Sequence, residues 1–184
     1  MKINDCLNID WLKNNHKLIH SFGLGFIQIK INEEFRLHVY CPEATLTSGE
    51  EEVHDHRYDF TSYILKGSLT NKIYELDYSK NDFLLIQENC SPNKELNLNS
   101  PKEVGLKLVN SSILSQNSSY FMEKDALHRV ETSRCITLLK RGLVVKDLAN
   151  VVYKKGQELK CPFSVNKDSD YLWSIVEKEL KSVY

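Results

Sequence analysis

No stretch of this 184-residue sequence approaches the ~20 consecutive apolar residues that a membrane-spanning helix needs. It also lacks an excess of either charge. The formal net charge of −1 gives no global pull toward nucleic acid or anionic membrane. No Cys-x-x-Cys pair is present, so neither a zinc ribbon nor a thioredoxin-type redox site is suggested. The five cysteines, Cys6, Cys41, Cys90, Cys135 and Cys161, are odd in number and scattered, and most of them read as reduced, small apolar packing residues. The opening stretch MKINDCLNIDWLKNN lacks the apolar run of a signal peptide, so a cytoplasmic location is expected. There is no convincing linker, and no repeat at the periods of propellers or solenoids. One domain over residues 1–184 is therefore expected.

What is present is an ordinary globular composition, 41% hydrophobic and 27% charged, with helical ends around a strand-rich middle. Asp10 is a candidate cap for a short helix through His20, with Leu12, Leu18 and Ile19 as its apolar contacts. At the other end Asp168 or Ser169 can cap a helix over about 169–183, where Leu172, Ile175, Val176, Leu180 and Val183 form a stripe at helical spacing. Between about 22 and 153 the pattern is strand and turn. Phe26, Ile27, Ile29 and Ile31 lead to a turn at Asn32-Glu33-Glu34. Phe35, Leu37 and Val39 then alternate with Arg36, His38 and Tyr40, a period of two. Further strands are expected at Val53–Tyr58, Ser62–Leu65, Leu69–Tyr78, Phe83–Gln87, Val104–Val109, Ser119–Met122, Leu127–Glu131 and Cys135–Lys140. Gly67, Ser79-Lys80-Asn81-Asp82, Ser91-Pro92-Asn93 and Ser100-Pro101 punctuate them. Many short strands with turns between them predict a mostly β sandwich or barrel.

The informative segment is Val53-His54-Asp55-His56-Arg57-Tyr58-Asp59-Phe60. Residues two apart in a strand face the same side, so His54 and His56 present two imidazoles that suit adjacent positions on one metal ion. His128, in the apolar segment Ala126-Leu127-His128-Arg129-Val130-Glu131, is the natural third ligand, since an unpaired imidazole is costly to bury. The bland alternative is a pair of histidines on a surface strand. The His16–His20 pair, four apart on the expected helix, lacks the glutamate of a zinc-protease motif and reads as a solvated face.

His54-x-His56 followed by Gly67 resembles the first cupin motif. Tyr120 and Leu127-His128-Arg129-Val130-Glu131 resemble the second half of the site in cysteine dioxygenases and related thiol dioxygenases, and Phe35 to Cys41 can be laid over the strand preceding their HDH triplet. The resemblance covers roughly residues 26–141. It implies a double-stranded β-helix, the cupin jelly roll, with a short N-terminal helix and a C-terminal helix. It also implies a three-histidine site for a divalent metal, with Fe(II) favoured over Zn or Ni. Many cupins add a glutamate ligand; here Phe60 stands at that position, and Asp59 points the other way unless a bulge turns it inward. Arg36, His38, Tyr40, Tyr58 and Arg141 are expected to line a pocket for an anion. The alternative is that Arg36 and Arg57 lie on the solvent face and pair with Glu50-Glu51-Glu52, and for Arg36 the two are equally open.

The departures from thiol dioxygenases matter. The cysteine that some of them cross-link to tyrosine is missing after His56, where Thr61 or Ser62 stands nearby. Thr137, Leu139 and Arg141 occupy the positions of a serine-histidine-tyrosine set, and Gln28 falls approximately where their carboxylate-binding arginine lies. Little or no cysteine oxidation is therefore expected. The reading is a metal-binding cupin, acting as a non-haem iron dioxygenase on a small anionic thiol or carboxylate. The alternatives are a non-oxidative metal cupin (isomerase, hydrolase or small-molecule sensor) and a structural barrel without catalysis. The expected partner is a small-molecule substrate, with no nucleic acid and no membrane; a homodimer is compatible with this reading.

Overall fold

A computed structural model of the protein describes residues 2–44, 52–88, 100–157 and 167–182. The turn expected at Ser91-Pro92-Asn93, the cysteines Cys90 and Cys161, and Val183 lie outside the described residues. Cys6, Cys41 and Cys135 form no disulfide with one another and are all buried.

The chain opens with a short 3-10 helix (Ile3–Leu7) and α1 (Ile9–Asn15). Asn8, not Asp10, caps α1, its Oδ1 accepting from the Trp11 N–H at 2.9 Å. The helix stops well before His20. His16 is extended, at φ −82° and ψ 154°, and the Lys17 N–H reaches across to the Lys30 carbonyl at 2.7 Å. That cross-chain bond starts β1 (Leu18–Phe22), so His16 and His20 do not share a helix face.

The remaining strands are β2 (Phe26–Lys30), β3 (Phe35–Tyr40), β4 (Val53–His54), β5 (Phe60–Asp77), β6 (Phe83–Glu88), β7 (Lys102–Ser115), β8 (Ser119–Met122), β9 (Leu127–Glu131), β10 (Cys135–Arg141) and β11 (Ala149–Lys154). All described pairings are antiparallel. One series runs β1-β2-β3-β10-β5, with β8 on the far side of β5. The other runs β5-β7-β6-β11-β4-β9 and returns to β5, closing on itself. The fold is thus a mostly β jelly-roll barrel with helices at both ends of the chain, consistent with the cupin expectation.

β5 belongs to both series. The two strands expected at Ser62–Leu65 and Leu69–Tyr78 are one continuous strand, bent at Gly67 rather than broken there. Gly67 has φ +75°, a conformation that L side chains resist. Before it, β5 pairs with β10 as far as Cys135 opposite Gly67; from Ser68 it pairs with β7. The expected strand Val53–Tyr58 is also corrected, because only Val53 and His54 are strand.

The alternation read in β3 holds. Leu37 and Val39 enter the main core with Ile27, Ile29, Ile136 and Leu138. Against that face packs α2 (Ser169–Lys181), capped by Asp168, whose Oδ1 accepts from the Asp170 and Tyr171 N–H groups. Its Leu172, Trp173, Ile175 and Val176 join the same core. The opposite face of the sheet is left to line a cavity. No helix among the described residues is long and apolar enough to cross a membrane.

Candidate metal centre

His54 ends β4 and His128 lies directly opposite it in β9. His56 comes from the irregular segment that follows β4, and its convergence needs a different cause from strand parity. Asp55, between the two histidines and 2% exposed, turns its carboxylate the other way. Its oxygens accept from the Asn150 N–H (2.8 Å), Asn150 Nδ2 (2.6 Å) and Lys146 Nζ (2.8 Å). The Asp55 N–H donates to the Asn150 carbonyl at 3.0 Å and the His56 N–H to the Lys124 carbonyl at 2.9 Å. The loop is thereby fixed with both imidazoles on the cavity side.

The three rings form a nearly equilateral triangle, with centroids 5.0 Å (His54–His56), 5.1 Å (His54–His128) and 5.0 Å (His56–His128) apart. One nitrogen from each lies within 4.8 Å of the others. Nε2 of His56 and Nε2 of His128 approach to 2.8 Å. Burial holds all three below the ordinary histidine range, His54 at about 4 and His56 and His128 well under their usual value. For His56 the neighbouring charges of His128, His54, His38 and Arg36 add to that burial. Near neutral pH these are uncharged imidazoles with lone pairs available to a cation. His128 Nδ1 bonds Asn71 Oδ1 at 2.9 Å, which fixes its tautomer in the manner of a metal ligand's outer partner. The donor set therefore fits a divalent transition metal.

Asp59 does not join the cluster. It is exposed and accepts the Lys124 N–H at 2.7 Å, while the ring of Phe60 stands edge-on to His56 at 4.7 Å.

The triad opens into a cavity of about 660 Å³ whose wall includes Arg36, His38, Tyr40, Tyr58 and Arg141. Arg36 is in the cavity wall, not on a solvent face. Its Nη1 donates to the Tyr58 hydroxyl at 3.0 Å, and its Nε is buried without a hydrogen-bond partner. The Arg36 and Arg141 guanidinium carbons lie 5.6 and 5.1 Å from the Tyr58 ring centre. Among the described residues neither arginine is paired with a carboxylate. Thr137 and Leu139 also line it, as do Arg57, Tyr120 and Gln28.

Sequence reasoning missed His20, Glu52 and Asn71. His20 is a cavity residue because β1 is a strand: its Nε2 is 3.3 Å from Gln28 Nε2. Glu52, 6% exposed, has Oε1 3.9 Å from His54 Nδ1. The signal available for His20 was the alternation Leu18, His20, Phe22; Asn71 carries none, being one polar residue in a long strand.

No protein-family model and no curated protein matches the chain. Among solved structures it is similar to hydroquinone 1,2-dioxygenase from Sphingomonas sp. TTNP3 with 4-hydroxybenzoate bound. Sequence identity is 12%, and the TM-score is 0.31. The match covers 61% of this chain and 63% of that one. One fold hosts many chemistries, so function follows from the site and not from the likeness.

Proposed function

We propose that the protein is a metal-binding cupin whose His54, His56 and His128 hold a divalent cation, with Fe(II) the favoured ion, and that it acts as a dioxygenase on a small anionic thiol or carboxylate. The observation that supports this best is the meeting of three neutral imidazoles, His128 buried and His54 and His56 half-buried, with two arginines that no carboxylate among the described residues pairs, in one cavity. When bound, iron supplies Lewis acidity and the redox chemistry that dioxygen requires. The chain's own residues do the rest. Arg36 and Arg141 attract and orient the anion, with planar donor forks suited to a carboxylate. Tyr58, held by Arg36, fixes the guanidinium. Phe60 and Tyr120 keep the wall beside the histidines apolar and uncharged, burial pushing the Tyr120 phenol up to about 12. Gln28 is engaged by His38 and His20 and is not free to replace the arginine of cysteine dioxygenases, so cysteine is a poor substrate.

One observation favours a second reading, a non-oxidative metal cupin. The buried Glu52 carboxylate borders the same cavity and is placed to move a proton, as an isomerase or hydrolase needs. Protein purified without oxygen should contain iron near one equivalent per chain, and oxygen uptake should depend on an added thiol or carboxylic acid and vanish in His128→Ala. Zinc or nickel with no oxygen uptake would select the second reading. Stoichiometric metal retained by a variant lacking all three imidazoles would overturn the site assignment.

A further inference from the structure

The register of β1, β2, β3 and β10 sorts the cavity face into rows that run across the strands. Phe22 pairs with Phe26 and Phe26 with Tyr40, giving an aromatic row. One step along, His20, Gln28, His38 and Thr137 stand opposite one another in turn. Two hydrogen bonds run along this row: His38 Nε2 donates to Gln28 Oε1 at 3.1 Å, and Gln28 Nε2 donates to His20 Nε2 at 3.3 Å. A further step brings Arg36 opposite Leu139, and beyond it Arg141 lies opposite Phe60. The cavity face thus grades from aromatic, through neutral polar, to cationic.

The histidine triad sits at the cationic end. The His56 ring is 4.7 Å from Phe60 and 5.8 Å from Tyr58, the ring between the two arginines. From Arg36 to Tyr40 along β3 is about 13 Å at the usual rise per residue. At the aromatic end Phe22 stacks on Phe26 at 4.9 Å and 15°, His38 stacks on Phe26 at 4.4 Å and 29°, and Tyr40 is tilted by 50° to Phe26 at 5.0 Å. A two- or three-carbon acid held by the arginines would be too short to reach this end of the cavity of about 660 Å³.

We propose that the ligand of this cavity is an aryl-substituted carboxylic acid, its carboxylate on Arg36 and Arg141 beside the histidines and its ring on the Phe22–Phe26–Tyr40 row. This rests on the reading of the cavity as a substrate site and names the class of acid that it takes. The carboxylate pairs with the two arginines, and the ring lies against the wall that Phe22, Phe26 and Tyr40 give the cavity.

The test is calorimetric titration of the protein, as purified and after chelation, with 3-phenylpropionate, propionate and 3-phenylpropanol. In both states 3-phenylpropionate should bind roughly tenfold or more tightly than either fragment. Phe22→Ala, a change at a half-buried position of the edge strand, should remove most of the advantage over propionate. Arg36→Gln should remove the advantage over the alcohol. Equal affinities for the three probes, or an advantage untouched by both changes, would overturn the proposal even in protein that carries its metal. Discriminating binding by a chain that takes up no metal would uphold it and sink the metal reading instead.

Discussion

Asn71 Oδ1 can only accept a hydrogen bond, so its 2.9 Å contact places the His128 proton on Nδ1 and leaves Nε2 with its lone pair. That nitrogen lies 2.8 Å from Nε2 of His56, a separation that a shared cation would relieve. Asn71 thus acts on the metal through His128. Asn71→Ala should weaken metal affinity about 10–100-fold while leaving the far-ultraviolet circular dichroism unchanged. Competition with a chromophoric chelator measures the first, and undiminished affinity would show that the contact does not set the tautomer. At this scale His54, His56 and His128 were legible, two by their spacing and one by its apolar surroundings. Asn71 and Glu52 were not. Asn71 reaches the site only because β5 lies beside β9 in the sheet, a pairing across 57 positions of sequence that local periodicity does not encode.

Single elements do two jobs in this protein, and β3 shows how. Leu37 and Val39 bury against α2 while Arg36, His38 and Tyr40 face the cavity, so a period of two separates stability from chemistry. That division was readable because β3 alternates cleanly. β1 was misread because Leu12, Leu18 and Ile19 carry a helix-like spacing across a boundary that only the Lys17–Lys30 backbone bond reveals. The Gly67 bend was misread as a turn, since a positive φ looks the same in sequence whether a strand ends or changes sheet. The separation of faces has a testable consequence. Leu172 of α2 is 1% exposed, so Leu172→Ala should cost about 2–5 kcal/mol in urea unfolding through the cavity that it leaves. Metal and anion affinity of the folded fraction should stay within about twofold. A parallel loss of affinity would mean that the two faces are coupled.

Across the whole molecule the histidines are gathered to one place. Of the six in the sequence, His16 packs edge-on against Trp173, and the other five line the cavity. Burial, assisted by the positive charge of Arg36, lowers His20 to about 4 and His38 to about 3, the latter also through His20. In the unfolded chain these groups titrate near 6.5, so below that pH the unfolded state binds more protons than the folded one. Folding stability should therefore be complete above about pH 6.5 and decline as the pH falls toward about 3. Gln in place of His38 keeps a donor for Gln28 Oε1 and removes one titrating group. Urea midpoints of chelated protein at about pH 7.5 and pH 5 separate this effect from metal loss, and the upper part of that window precedes most carboxylate protonation. The wild-type midpoint should fall between the two conditions by more than that of His38→Gln. Equal declines would show that His38 takes up its proton without cost in the folded protein, and that the neutral middle of the cavity wall is charged in weak acid.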